Sequence, residues 1–158
     1  MNIKFQHPPS KYDDIGMRLA RLPRSWRAVV DHRLAPLGLT QTRWITLYNL
    51  WKSGDGQAQC DLARSIGVEA PSLVRTLDQL ARQGLIERRP CGHDRRTKRI
   101  HLTRKAAPLI EQIDFVVNQA RAEMLEGLSE EEVDHFSSTL EKIEHNSQRL
   151  LNAQQSES

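Results

Sequence analysis

The sequence LARSIGVEAPSLVRTLDQL, from Leu62 to Leu80, contains two short helical patterns with almost no chain between them. In each half the apolar residues fall on one face of a helix. Gly67 allows a left-handed turn between the two patterns. Pro71 suits the first turn of the second helix, where its missing N–H would have no intrahelical partner. The stretch therefore predicts a helix-turn-helix.

The period of the sequence changes after this stretch. Gly84 predicts the end of the second helix. Two runs with strand-like alternation follow, residues 85–89 and 98–102, with a basic loop between them. They predict a β-hairpin with a basic tip. Since the hairpin follows the helix-turn-helix directly, the two together predict a winged helix.

Helical periodicity is present before the winged helix. Residues 15–34 have apolar side chains on one helix face, and Pro23 lies inside the pattern. Because proline removes a backbone donor, this helix is expected to be kinked or divided there. Pro36 and Gly38 should end it. Thr40 is the expected N-cap of the next helix.

Two further helices are predicted after it. Thr103 is the expected N-cap of the first, and Gly127 its end. Ser129 and Glu132 have the spacing of a capping box for the second. The apolar residues of that helix, with Ser147 in one slot, alternate three and four positions apart, which is typical of helices that pack along their length. They are Val133, Phe136, Leu140, Ile143 and Leu150.

The distribution of charge indicates a polyanionic partner. The chain has 158 residues and a net charge of only +3. Residues 1–56 and 57–104 each carry +5, whereas residues 105–158 carry −7. Such asymmetry suggests that the basic part faces a polyanion, with nucleic acid as the first candidate. A solvated charged loop is the alternative explanation for the basic hairpin.

Composition excludes several classes of protein. Hydrophobic residues make up 38% of the chain, so part of the core is expected to be shared with a partner chain. No apolar run suggests a membrane span, and no signal peptide is recognisable, so a cytoplasmic protein is expected. Cys60 and Cys91 lack the spacing of a disulfide framework or a zinc site.

No motif for catalysis is present either. The sequence contains no nucleophile elbow, phosphate-binding loop or HExxH pattern. We therefore expect a protein that is not an enzyme and that uses no cofactor and no metal.

The start of the second helix supplies the candidate residues for base recognition. A recognition helix places its N-terminal residues at base edges in the major groove. Arg75 can pair with the O6 and N7 atoms of guanine, and Ser72 and Thr76 can bond to a base or a phosphate. A solvent-facing arginine is the alternative for Arg75. The candidates are Pro71, Ser72, Arg75 and Thr76.

The wing supplies a second set of candidates. Arg95 and Arg96 suit a narrow minor groove, whose negative potential attracts arginine. Asp94 is expected to pair with one of these arginines and to orient it. Arg88 and Lys98 are expected to contact phosphates.

The wing sequence also resembles a known family. The run DRRTKRIHLT, from Asp94 to Thr103, resembles the D-x-R-x-x-x-I-x-L-T pattern of the MarR family of transcriptional regulators. Residues 26–34 and 71–80 resemble its SlyA branch, and the similarity covers roughly residues 14–150. Pro23 and Pro90 depart from the SlyA-like pattern.

The resemblance implies how the chain binds DNA. It implies a homodimer that binds a pseudo-palindrome in double-stranded DNA. Arg75 and Ser72 would contact bases in the major groove. Arg96 would enter the minor groove, with Asp94 as the partner that orients it.

It further implies an effector site for small aromatic carboxylates, between the dimerisation helices and the winged helix. The positions that match this site are Arg24, Thr42, Trp44 and Tyr48. The alternative is that Trp44 belongs to the core and Arg24 to the surface.

These arguments predict a mainly α protein with a small β wing. We expect an N-terminal dimerisation helix in residues 1–36, a winged helix-turn-helix DNA-binding domain in 37–104, C-terminal dimerisation helices in 105–151 and a disordered tail in 152–158. The expected function is sequence-specific regulation of transcription, as repressor or activator, in the cytoplasm at the nucleoid. The alternative is a winged-helix adaptor that binds proteins and has no DNA specificity.

Overall fold

The computed structural model describes residues 12–90 and 98–156. Its helices in those ranges are α1 (Asp13–Leu34), α2 (Gln41–Ser53), α3 (Gln59–Ile66), α4 (Ala70–Arg82), α5 (Ala107–Met124) and α6 (Glu130–Ser156). Its strands there are β1 (Gln57–Ala58), β2 (Ile86–Pro90) and β3 (Lys98–Leu102). Short 3-10 turns lie at Ala35–Leu37 and Arg104–Ala106. The prediction of a mainly α fold with a small β wing is confirmed.

The chain forms two compact units, residues 1–120 and residues 121–158. The first unit contains the winged helix, and the second contains α6. Within the described ranges, no helix combines the length and the apolar character that crossing a membrane requires.

The helix-turn-helix forms as predicted. At the end of α3, Gly67 has a φ of 69°, and the amides of Gly67 and Val68 both donate to the carbonyl of Ala63. This hydrogen-bond pattern closes a helix and needs a left-handed residue, which glycine provides at no steric cost. Pro71 lies in the first turn of α4. The chain therefore passes from one helix to the next within three residues.

The hairpin pairs β2 with β3 in antiparallel register, from Ile86 opposite Leu102 to Pro90 opposite Lys98. Strand β1 adds to the other edge of β3, so the sheet order is β1-β3-β2. A strand of two residues is too short to show an alternating pattern, so β1 could not be predicted from the sequence.

The C-terminal end of α4 is held by groups from other parts of the first unit. Lys105 Nζ donates to the carbonyl of Gln83 at 2.8 Å, and Thr103 Oγ1 donates to the carbonyl of Gly84 at 2.5 Å. Arg43 Nη2 donates to Gln83 Oε1 at 2.5 Å. The first two bonds satisfy backbone carbonyls at and just beyond the helix end, and the third holds the side chain of Gln83. The C-terminal end of α4 is thus fixed to the rest of the unit.

The core of the first unit contains one continuous side of α4. Leu73, Leu77 and Leu80 are fully buried there. They pack with the buried apolar residues of the other helices and of the sheet, among them Leu47, Leu50, Leu62, Ile66, Ile86 and Ile100.

Helix α1 is continuous through Pro23, so of the two expected outcomes, a kink or a division, the division is excluded. Two predicted N-caps differ in detail. Thr40 precedes α2 but makes no side-chain capping bond. Thr103 is followed by a 3-10 turn and makes no side-chain capping bond, its hydroxyl donates to the Gly84 carbonyl, and α5 begins only at Ala107.

In the second unit, the capping box at the start of α6 is confirmed. The amide of Ser129 donates to Glu132 Oε2 at 2.8 Å, and the amide of Glu132 donates to Ser129 Oγ at 3.2 Å. The helix continues to Ser156, into the segment predicted to be a disordered tail. Gln148 Nε2 donates to Asn152 Oδ1 at 2.9 Å along the same helix. Extension of an existing helix needs no new nucleation, so polar residues can continue it.

Candidate nucleic-acid interface

Helix α4 has one buried and one exposed side. The buried side carries Leu73, Thr76, Leu77 and Leu80. The exposed side begins with Pro71 and Ser72 and continues with Val74 and Arg75. Because Arg75 is exposed, its guanidinium donors face solvent, as contact with a base edge requires.

The assignment of Thr76 to this interface is wrong. Thr76 is only 7% exposed, and its hydroxyl donates to the carbonyl of Ser72 at 3.1 Å. It follows Leu73 by one helical turn and is adjacent to Leu77, so it lies on the side that packs into the core. Its hydroxyl is therefore not available to a base or a phosphate.

Arg88 differs from the prediction in a similar way. Its Nη1 atom lies 2.7 Å from Asp78 Oδ1, so strand β2 is joined to helix α4 by an ion pair. The Arg88 guanidinium, which was expected to contact a phosphate, is paired within the protein instead. The pair neutralises a carboxylate of α4 that would repel a polyanion, and it sets the position of the wing relative to the recognition helix.

The wing tip lies outside the described residues. The predictions for Asp94, Arg95 and Arg96 fall on it, as does Cys91. Lys98, at the start of β3, is exposed as predicted. Arg89 is exposed as well and pairs with Glu87 on its own strand.

The sequence analysis missed a set of contacts at the base of the wing. Asp55 Oδ1 accepts the amide of Leu102 at 2.7 Å, and Asp55 Oδ2 lies 3.0 Å from His101 Nδ1. A Cβ on Gly56 would come within 2.8 Å of the His101 ring, so only glycine fits there without a shift. Arg99 Nη1 donates to the Gly56 carbonyl at 2.8 Å. The Asp-Gly dipeptide was a turn signal, but nothing local indicated its partner strand.

The expected effector residues occupy different environments. Trp44 is 6% exposed, and its Nε1 atom donates to Asp31 Oδ1 at 2.5 Å. The Tyr48 ring meets Trp44 edge-on with centroids 6.4 Å apart. Thr42 precedes Trp44 by two positions and therefore projects from the opposite side of α2. Arg24 is exposed on α1. The structure thus brings together the two aromatic residues and separates Thr42 from them.

Two of the cavities in the first unit involve α2, α5 or the end of α1. One, of about 300 Å³, has Trp51 of α2 on its wall but neither Trp44 nor Tyr48. The residues that line it are Trp51, Leu102, Thr103, Ala107, Ile110 and Glu111. The other, of about 480 Å³, opens between the end of α1 and the start of α5, with Leu37 and Phe115 on its walls. Neither cavity is lined by the four expected effector residues.

No metal centre is found in the parts of the chain that the structure describes, since no three potential ligands come together there. Cys60 is exposed.

A helix-turn-helix followed by a two-stranded hairpin, with an exposed arginine early in the second helix, defines a winged helix-turn-helix protein. The MarR family model matches residues 39–98. The crystal structure of the transcriptional regulator PA3341 is 41% identical, covers 85% of this chain and 98% of its own, and superimposes with a TM-score of 0.80. The chain belongs to the MarR family, a family of transcriptional regulators and not of enzymes.

Two other solved structures extend the comparison. CouR from Rhodococcus jostii RHA1, bound to p-coumaroyl-CoA, is 27% identical, with 86% of this chain and 95% of CouR covered and a TM-score of 0.71. The transcriptional regulator SlyA is 24% identical, with coverages of 85% and 94% and a TM-score of 0.73. At that identity, the likeness to SlyA shows the shared fold alone.

Proposed function

We propose that this MarR-family regulator binds a specific pseudo-palindromic site in double-stranded DNA as a homodimer. The observation that carries the proposal is the exposed N-terminal part of α4, with Arg75 outward and the wing strands beside it. In this arrangement α4 enters the major groove and the hairpin lies along the backbone or in the adjacent minor groove. The protein would act in the cytoplasm, at the nucleoid.

Each group has a separate task in this proposal. Arg75 and Ser72 contact base edges and phosphates at the start of α4, with Pro71 packed against the groove. Arg95 and Arg96 enter the minor groove, and Asp94 orients one of them. Lys98 adds affinity through phosphate contact.

The apolar seam of α6 supports the homodimer. Phe136, Ile143 and Leu150 are exposed in the single chain and are spaced seven positions apart, so they form a stripe along one side of the helix. An unpaired stripe of this kind needs a second helical surface to cover it. A second copy of the chain offers the same surface, as a two-fold dimer requires.

Sedimentation equilibrium and fluorescence anisotropy test this proposal together. A dimeric mass, and binding of a random-sequence duplex that weakens as salt is raised, are expected. A winged-helix adaptor has no DNA specificity, so it would enrich no motif when bound sites are selected from random duplex DNA. A monomeric mass at micromolar concentration would contradict the dimer.

Replacement of Lys98 by alanine is expected to reduce the slope of log K against log salt by about one unit per protomer, and therefore by about two units for the homodimer. The reason is that Lys98 is exposed at the start of the wing strand and would contact one phosphate. Anisotropy titrations of one duplex at several salt concentrations measure the slope.

Lys142→Ala is the matched control, because it removes the same charge from the acidic helix α6. The control should leave the slope unchanged. Equal slopes for Lys98→Ala and the wild type would remove Lys98 from the interface.

We also propose that a small aromatic carboxylate modulates binding. CouR binds an aromatic thioester, and this chain has an aromatic series, Trp44, Tyr48 and Trp51, along one side of α2. Arg24 would supply the charge for the carboxylate, and Thr42 a hydroxyl. Since Thr42 lies on the other side of α2, the site would need groups from more than one surface.

Salicylate at millimolar concentration is expected to raise the thermal midpoint of the wild type by mass action. Differential scanning fluorimetry at fixed protein concentration measures the shift. Arg24→Ala should lose it, while Lys142→Ala should retain it. If the wild type shows no shift, the proposed effector site is wrong.

A further inference from the structure

Val74 occupies an unexpected place on the recognition helix. The sequence pattern groups it with Leu73 and Leu77 on one apolar helix face. In the structure those two leucines are fully buried, whereas Val74 is 38% exposed. Part of this apolar side chain is thus presented to the outside of α4.

The surroundings of Val74 are the proposed DNA-contacting residues. Pro71 precedes it by three positions and Arg75 follows it by one, and both are exposed. Asp78 follows by four positions and is paired with Arg88. Positions three and four apart share one side of a helix, so Val74 lies between Pro71 and Asp78 on the side that carries Arg75.

We infer that Val74 is a specificity-determining residue that contacts the 5-methyl group of a thymine next to the base pair recognised by Arg75. The inference rests on the proposed binding of DNA by α4. The methyl group of thymine is the apolar feature of the major groove, and aliphatic side chains pack against it.

The chemistry of valine also disfavours other bases at that position. An isopropyl group neither donates nor accepts hydrogen bonds. If it covered the N4 amino group of cytosine or the O6 and N7 atoms of guanine, those groups would lose water without gaining a partner. Val74 therefore selects thymine both by a favourable contact and by the cost of the alternatives.

Deoxyuridine provides a direct test because it differs from thymidine by the methyl group alone. The probe is the duplex recovered by selection from random DNA, with each thymine replaced in turn. The wild type is expected to lose roughly three- to fivefold in affinity at one thymine per half-site, the effect of burying one methyl group.

Val74→Ala removes the contact from both protomers, so its partner in the test is the duplex with deoxyuridine at the equivalent thymine of both half-sites. The variant should lose a similar factor on the thymine duplex as the wild type loses on that doubly substituted duplex, and it should lose nothing further on the doubly substituted duplex. This non-additivity assigns the methyl contact to Val74. Gln79→Ala, on an exposed part of the same helix, is the control and should keep the full sensitivity to deoxyuridine. Alanine is the better helix former, so α4 should remain intact, and circular dichroism verifies this.

Three outcomes would overturn the inference. The selected motif could lack thymine beside the position that depends on Arg75, the wild type could be insensitive to deoxyuridine throughout, or Val74→Ala could be as sensitive as the wild type. None of these three outcomes contradicts the proposal that α4 binds DNA specifically. If the wild type selects no motif at all, the proposed function and this inference both fail.

Discussion

Arg75→Ala is expected to weaken binding to the selected duplex by about 1–3 kcal/mol per half-site, while binding to unrelated duplex changes far less. The two effects differ because a guanidinium that pairs with guanine O6 and N7 adds affinity only where that guanine is present. The attraction between the basic wing and the phosphates adds affinity to any DNA sequence. Arg75 is exposed early in α4, so its removal leaves no cavity in the core. Anisotropy titrations with the two duplexes at one salt concentration measure both affinities.

Arg75→Lys separates geometry from charge. Lysine retains the positive charge but cannot present the planar pair of donors. We expect it to retain non-specific affinity and to lose preference for guanine at one position per half-site. If both variants select the same motif as the wild type with equal stringency, Arg75 does not recognise a base.

Leu77→Ala is expected to lower the free energy of unfolding by about 2–5 kcal/mol. Leu77 is fully buried on the core side of α4, and truncation would remove its contacts and leave a cavity. Urea denaturation at equal protomer concentrations measures the loss, since the stability of a dimer depends on concentration.

Gln79→Ala, two residues further along α4, provides the comparison. Its side chain is exposed, so the change in unfolding free energy should stay within about 0.5 kcal/mol. A loss below about 1 kcal/mol for Leu77→Ala would mean that α4 does not depend on its buried side for its position.

Local signals were sufficient to predict the winged helix. Gly67 and Gly84 have φ values of 69° and 72°, so each ends a helix with a conformation that glycine adopts readily. Ser129 and Glu132 form the capping box that their spacing indicated. These features depend on residues within five positions of one another, and such signals can be detected in one sequence.

Features that depend on distant residues could not be predicted. Strand β1 has only two residues and exists because β3, about forty positions later, pairs with it. The pairing of Arg88 with Asp78, and that of Trp44 with Asp31, require the folded arrangement of separate elements. The charge of Arg88 had suggested a contact with phosphate, and the family resemblance had suggested an effector site at Trp44.

The burial of Thr76 and the exposure of Val74 are different cases. Leu73, Leu77 and Leu80 define the buried side of α4. At 3.6 residues per turn, Thr76 lies about 40° beyond one edge of the arc that these leucines span, and Val74 about 60° beyond the other edge. Both residues therefore flank the buried side, and only the packed structure shows that Thr76 is covered and that Val74 is partly exposed.

Selection of bound sites from random double-stranded DNA tests the central claim most directly. Specific recognition by a homodimer predicts an enriched inverted repeat whose half-sites lie about one helical turn, or roughly 10 base pairs, apart. Enrichment of no motif would contradict DNA recognition and favour the adaptor. A single half-site without its inverted copy would contradict the dimer.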